Sequence, residues 1–274
     1  MKTEETELIE IELLLEAVYR SYGYDFRDYA LASIRRRIWK RAKDEGLGTI
    51  SALQDRILHD SECIKRLLSD FSVSVSDFFR NPDFFNIMRK KVFPALKTYP
   101  YVRIWHAGCS KGEEAYSLAI LLNEEGIYKK CRIYATDFNI NDLEMAKSGI
   151  YPLKRMKQFT DNYQMAGGKI DFSKYYTAQY DNAIFKSFLK KNILFAEHNL
   201  VTDGSFNEFN LILCRNVMIY FNRDLQNRIH ELIYQSLSPL GILGLGEREN
   251  IAMTPFENRY EIMDQEQKLF RKIK

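Results

Sequence analysis

The residues that could do chemistry fall in three short stretches. Gly108-Cys109-Ser110-Lys111-Gly112 is followed at once by two acids, Glu113 and Glu114. It stands between a strand-like run and a helix-like one. Glycine turns at such junctions ordinarily cradle a phosphate, because helix N-termini attract anions. Two carboxylates at that point would repel one. The second stretch is Tyr134-Ala135-Thr136-Asp137, where an acid closes a strand, and the third is Leu213-Cys214-Arg215-Asn216. In open α/β sheets ligands bind beyond the carboxyl ends of the strands, and an acid at the second strand end grips a ribose through its two hydroxyls.

An acidic turn with a ribose-holding acid suits a ligand with a positive centre and no phosphate. S-adenosylmethionine has an adenine, a ribose, an ammonium and a sulfonium. Two other readings stay open on Gly-x-x-x-Gly alone. One is a solvated helix start beside a tight turn. The other is a dinucleotide oxidoreductase, against which the pair Glu113-Glu114 weighs.

A sheet has to position these stretches. From residue 101, strand-like runs at Val102–His106, Arg132–Thr136, Ile193–Glu197 and Leu211–Cys214 alternate with helical stretches at Glu113–Asn123, Ile140–Ser148 and Arg223–Ser236. Such alternation predicts a mostly parallel sheet covered on both faces. Residues 151 to 192, rich in Tyr, Lys, Gln and Phe, break the rhythm and read as an insertion with small strands of its own. Residues 5 to 70 read as helical throughout. Leu8, Ile11, Leu14, Leu15 and Val18 recur at helical spacing, as do Leu31, Ile34, Ile38 and Ala42, with Gly46 placed as a stop. Leu53, Ile57, Ile64, Leu67 and Leu68 mark two more short helices.

Bulk properties exclude several function classes. The 274 residues are 46% hydrophobic and 28% charged, an ordinary globular mixture with material for a sizeable core. A net charge of +3 does not argue for nucleic acid. No apolar run approaches the ~20 residues needed to span a bilayer, and the acidic N-terminus lacks a signal-peptide core. The four cysteines, Cys63, Cys109, Cys131 and Cys214, show neither metal nor redox spacing, and the four histidines are isolated. A metal-free protein of a reducing cytoplasm is expected, with no nucleic acid and no membrane insertion.

Four blocks carry a family resemblance: "SVSVSDFFRNPDFF" (72–85), "RIWHAGCSKGEEAYSLAILL" (103–122), "IYATDFNINDLEMAKSGIY" (133–151) and "LILCRNVMIYFNRDLQNRI" (211–229). In order and spacing the chain resembles the CheR chemotaxis receptor methyltransferases along nearly its whole length. The resemblance implies a Rossmann-like class I methyltransferase domain (101–274) with a β-subdomain inserted at about 151–195. A small all-α domain (1–70) and a cofactor-contacting linker (71–100) precede it. It implies methyl transfer from S-adenosylmethionine to glutamate side chains on chemoreceptor helices, with S-adenosylhomocysteine as product. The alternative is a non-catalytic S-adenosylmethionine-binding regulatory module of the same fold. The cofactor contacts implied are Ser74, Ser76, Arg80, Gly108, Glu114, Asp137, Phe138, Asn199, Leu200, Cys214 and Arg215, with Asp137 on the ribose. Arg80 and Tyr220 match the residues that flank the reacting atoms. The chain departs from the family at Val73-Ser74, Lys111, Ala115 and "GLGERE" (244–249), where the family usually ends in Gly-His-Ser-Glu.

Two further expectations concern the partner. Arg36, Arg37, Lys40, Arg41 and Lys43 crowd a helix in a stretch, residues 34 to 43, that holds no acid. Charge runs are usually solvated faces, but in the family this helix presses against the acidic receptor helix. Some members also bind a receptor C-terminal pentapeptide along the β-subdomain edge, using a glycine-rich loop. The corresponding stretch here, residues 173 to 195, has no glycine, and bulky Tyr175, Tyr176 and Tyr180 either crowd that edge or belong to the core. No tether is therefore expected, and the chain is expected to act as a monomer.

Overall fold

Apolar residues at every third or fourth position make the N-terminal helices, and short polar residues start and stop them. In the computed structural model of the chain, residues 2–72 and 76–273 are described. They form two compact units. The first comprises Met1–Val73, Val201–Asp203 and Tyr220–Ile229, the second Ser74–Leu200, Gly204–Ile219 and His230–Lys274.

The first unit contains α1 (Lys2–Tyr22), α2 (Leu31–Asp44), α3 (Ile50–His59) and α4 (Ser61–Phe71). Ile11, Leu14, Val18, Ile34, Ile38, Ala42, Leu53, Ile57 and Leu67 are buried as their spacing predicts, whereas Leu8 and Leu31 are exposed. Thr49 caps α3 by accepting from the Ala52 N–H at 3.1 Å, and Asp60 caps α4 by accepting from Glu62 at 2.9 Å. Gly46, at φ 70°, closes α2 as expected. Residues 220–222 run beside 28–30. The Ala30 N–H donates to the Tyr220 carbonyl and the Asn222 N–H to the Asp28 carbonyl, each at 2.8 Å.

The second unit opens with one helical rod: α5 (Pro82–Ile87), a π-turn (Met88–Val92) and α6 (Phe93–Lys97). Then follow β1 (Val102–Ala107), α7 (Glu113–Glu124), β2 (Cys131–Asp137) and α8 (Ile140–Ser148). The insertion supplies β3 (Ile150–Pro152), α9 (Met156–Met165), β4 (Tyr176–Gln179), β5 (Asn182–Phe185) and α10 (Ser187–Lys190). The chain continues through β6 (Ile193–Glu197), β7 (Phe209–Cys214), α11 (Arg223–Ser236), β8 (Leu237–Leu245), β9 (Tyr260–Asp264) and β10 (Leu269–Lys272). The main sheet has the order β6-β2-β1-β7-β8-β10-β9, parallel through β8 and antiparallel beyond it. This is a Rossmann-like sheet, and an all-α region precedes it in the chain.

The insertion forms a three-stranded antiparallel sheet, β3-β5-β4. Its tyrosines divide between the edge and the core. Tyr175 is buried and donates to Glu124 at 2.8 Å, and Tyr180 lies in the β4–β5 turn at 89% exposure. Only Tyr176 stands on the edge strand β4. Among the described residues, no helix is long and apolar enough to cross a membrane, and no cluster of His, Cys, Asp or Glu could hold a metal.

Candidate functional site

The turn after β1 is held by its own backbone. The N–H groups of Gly108 and Cys109 donate to the Thr136 carbonyl at 2.8 and 2.9 Å, and that of Ser110 donates to Asp137 Oδ2 at 2.8 Å. The donors that would cradle a phosphate are thus committed to β2. Gly108 and Gly112 lie at φ 73° and 89°. A Cβ on Gly108 would collide with the Val217 side chain, and one on Gly112 with Ala146 of α8. The glycines therefore let the turn pack against neighbouring segments; the space a side chain would need is filled by protein.

Asp137 joins the turn to the end of β2. Its Oδ1 accepts the Asn139 N–H at 3.0 Å, so each carboxylate oxygen holds one backbone donor. A carboxylate offers about four acceptor positions, which leaves two for the hydroxyls of a ribose. Burial raises its pKa to about 6 against the pull of those two N–H groups.

The two acids behind the turn are not a solvated rim, which corrects the sequence-based picture. Glu113 is 1% exposed and Glu114 6%. Burial pushes Glu113 up to about 7. Glu114 is opposed by burial too, but Arg215, His106 and Arg80 pull it down to about 2. Arg215 Nη1 donates to Glu114 Oε2 at 2.5 Å, and His106 Nε2 lies 3.2 Å from Oε1. The Arg215 guanidinium lies 3.9 Å over the Phe84 ring, and its Nη2 donates to the Asn81 side chain at 3.2 Å and to the Arg80 carbonyl at 3.4 Å. Ser110 Oγ and Glu113 Oε2 are buried without a hydrogen-bond partner among the described residues, whereas Glu114 Oε1 has His106 beside it. Together with the open positions on Asp137, they suit a ribose and an ammonium.

The structure thus gathers Gly108, Glu114, Asp137, Cys214 and Arg215 at the strand ends, with Arg80 close enough to act on Glu114. Cys214 is fully buried, and Phe138, Asn199 and Leu200 are half-buried beyond β2 and β6. Ser76 is half-buried, and Ser74 lies outside the described residues. Tyr220 belongs to the first unit, where the Arg37 guanidinium lies 4.8 Å over its ring. A separate cavity of about 360 Å³, lined by Asn81, Asp83, Arg215, Glu247 and Glu266 among others, shares Arg215 with this cleft.

One functional residue escaped the sequence reading. Glu249 accepts four backbone N–H groups, from Asn216, Val217, Met218 and Gly246, at 2.6 to 2.8 Å. It fixes the loop that follows Cys214-Arg215. In the sequence it showed only as the last letter of "GLGERE".

The basic helix α2 also needs correction. Arg37 is 5% exposed and donates to the Phe71 carbonyl at 2.8 Å. Lys40 pairs with Asp44 at 2.9 Å and Asp70 at 2.7 Å, while Arg41 pairs with Asp70 and, at 3.2 Å, with Glu45. The face is therefore not free of acids, because α4 and the end of α2 itself supply them. Arg36 and Lys43 are exposed and make no ion pair among the described residues.

Strand order and an acid-closed second strand, with no phosphate cradle, define an S-adenosylmethionine-dependent methyltransferase fold. Residues 74–269 match the family model described as CheR methyltransferase, SAM binding domain, and residues 9–72 the one described as CheR methyltransferase, all-alpha domain. The chain belongs to the CheR methyltransferase family. It is 47% identical over 272 residues to the methyltransferase Cher3 of Pseudomonas putida, covering 99% of this chain and 100% of that one. It is 28% identical over 236 residues to a chemotaxis protein methyltransferase of Listeria monocytogenes, covering 85% and 87%. A chemotaxis protein methyltransferase of Salmonella typhimurium is 27% identical over 248 residues, covering 87% and 83%.

Proposed function

We propose that this chain is a protein-glutamate O-methyltransferase that modifies the cytoplasmic helices of a chemoreceptor. The observation that carries the reading is the Glu114–Arg215–Asp137 arrangement. It leaves acceptors for a ribose and an ammonium, and it sits beside the segment bearing Arg80. Bound there, S-adenosylmethionine supplies an electrophilic methyl on sulfur.

The chain's own residues do the rest. A glutamate acceptor, with pKa about 4.3, is already ionised at neutral pH and needs no general base. The work is positioning, which in favourable models lowers a barrier by roughly 7–11 kcal/mol. Asp137 holds the ribose, and Glu114, oriented by Arg215, faces the ammonium. Arg80 holds the incoming carboxylate in register, and Tyr220 orients it. Arg36 and Lys43 meet the acidic receptor helix. The chain works in the cytoplasm as a monomer, without a pentapeptide tether, since residues 173 to 195 contain no glycine to let a second backbone approach.

The test is transfer of labelled methyl from S-adenosylmethionine to the organism's receptor membranes. Base-labile release of the label is expected. Base-stable label, or none, would refute the glutamate ester. Calorimetry with a receptor C-terminal pentapeptide checks the missing tether: low-micromolar binding, about −8 kcal/mol, would refute it.

A further inference from the structure

The insertion grips the segment that carries Arg80. Phe78 packs against Tyr151 and Phe159, each at 5.0 Å between ring centroids, and stacks on Phe185 at 4.5 Å. Phe79 meets Tyr163 at 5.2 Å. All four partner rings belong to β3, α9 or β5 of the insertion.

Polar contacts point the same way. Asn162 Nδ2 donates to the Phe78 carbonyl at 3.0 Å. Arg155 Nη2 donates to the Ser76 carbonyl at 3.2 Å and pairs with the Asp77 carboxylate. Its Nη1 lies 3.8 Å from Glu113 Oε1, and its guanidinium lies 4.7 Å over the Phe159 ring. On the other side of the segment, the Phe79 N–H donates to Ser117 Oγ at 2.9 Å, and that hydroxyl donates to the Glu113 carbonyl at 2.8 Å. Residues 76–79 are therefore pinned between the insertion and α7. Phe79 and Asn81, at φ 53° and 58°, adopt a backbone conformation that non-glycine residues keep only when their surroundings hold them.

We infer that Arg155 is a positioning residue for cofactor binding: through it the inserted subdomain sets the placement of residues 76–80 in the cofactor cleft. The subdomain is then a working wall of the cleft as well as a side module. A planar guanidinium suits the task, because Nη2 meets the Ser76 carbonyl and the Asp77 carboxylate while Nη1 turns toward Glu113 and the face lies on the Phe159 ring; an ammonium offers a single point of charge. The inference rests on the cofactor cleft described above and is independent of the acceptor proposed for it.

The experiment is calorimetric titration of the full chain with S-adenosylhomocysteine, with melting temperature measured alongside. Arg155→Ala should raise Kd at least tenfold, and Arg155→Lys should recover part of the loss. Asp77→Asn should weaken binding in the same direction. The double variant Arg155→Ala/Asp77→Asn should be no worse than Arg155→Ala alone, since both act through one contact. In methyl transfer at saturating cofactor, kcat of Arg155→Ala should fall as well, because Arg80 rides on the same segment. An unchanged Kd in Arg155→Ala, or fully additive losses in the double variant, overturns the inference. If Arg155→Ala melts far below the wild type, Asp77→Asn decides: normal melting with unchanged Kd overturns it too. Failure of the wild-type chain to bind S-adenosylhomocysteine would overturn the cofactor assignment and this inference together.

Discussion

Asp137→Ala separates cofactor binding from stability more cleanly than other changes at the cleft. The carboxylate has two acceptor positions left after Ser110 and Asn139. Two ribose hydroxyls on a charged acceptor contribute roughly 1.5–3 kcal/mol each. Their loss should raise the Kd for S-adenosylhomocysteine about 100-fold or more. Stability should move little. The rise in pKa from 3.8 to about 6 means that keeping the buried charge costs about 3 kcal/mol at neutral pH, at about 1.4 kcal/mol per unit. Removing it offsets the roughly 1–3 kcal/mol lost at each of the two stranded N–H groups. The sign in pH follows. This group's contribution favours the fold below pH 3.8 and is lost as pH rises through about 6. Binding runs the other way, because the hydroxyls need the ionised form. Wild-type affinity should fall about tenfold per pH unit below about 6, and Asp137→Ala should show no such slope. Titration calorimetry from pH 5 to 8, with thermal melts, measures both. A Kd within threefold of wild type, or a slope that survives the substitution, would remove Asp137 from the ribose site.

Other changes test the parts around it. Arg215→Met should destabilise the second unit by about 3–5 kcal/mol, because it strands the Glu114 charge, and Glu114→Gln should be milder; equal denaturation midpoints would contradict the pair. The low Glu114 pKa contributes stability above pH 4.5 that is lost as pH falls toward about 2, so Glu114→Gln should flatten acid unfolding in that window. Glu249→Gln turns an amide NH2 toward two of the four N–H groups, at roughly 1–3 kcal/mol each, partly offset because burial makes the Glu249 charge costly and raises its pKa; the melting temperature should fall, and an unchanged melt would show the loop to be held otherwise. Arg36→Glu with Lys43→Glu should raise the KM for receptor at low salt and leave cofactor affinity alone. Arg37→Glu should instead unfold the helical unit, since that side chain is buried; equal receptor affinity in the double variant would return α2 to a solvated face.

Local pattern made much of this legible. The apolar runs of β1, β2, β6 and β7 and the bounds of α8 and α11 stand in the sequence because period and turn residues agree there. β8 did not, since Leu237-Ser-Pro-Leu-Gly-Ile-Leu-Gly-Leu245 breaks every strand rule with one proline and two glycines. The rod from Pro82 to Lys97 was hidden by Pro82 and Pro94, each of which sits at a helix start. The state of Glu113 and Glu114 could not be read, because Arg215 is about a hundred residues away. On α2, Asp44 was within sight as the i+4 partner of Lys40, whereas Asp70 comes from another helix. Glu249 has no local signal, because three of its four donors lie in residues 216 to 218.

The embedding of Phe78 has a consequence for the order in which the protein is built. Its stacking partner Phe185 is synthesised more than a hundred residues later. Until then the segment ahead of Arg80 lacks that ring to rest on and cannot hold its left-handed turns. Contacts of such sequence separation form late, since the loop must close before they return any energy. The α1–α4 helices meet over shorter separations, such as the 41 residues between Glu10 and Ser51, and can come together while the rest is still being translated; residues 220–229 of the same unit join them later. A truncated chain ending before residue 185 should therefore keep its N-terminal helices and have no ordered cofactor cleft.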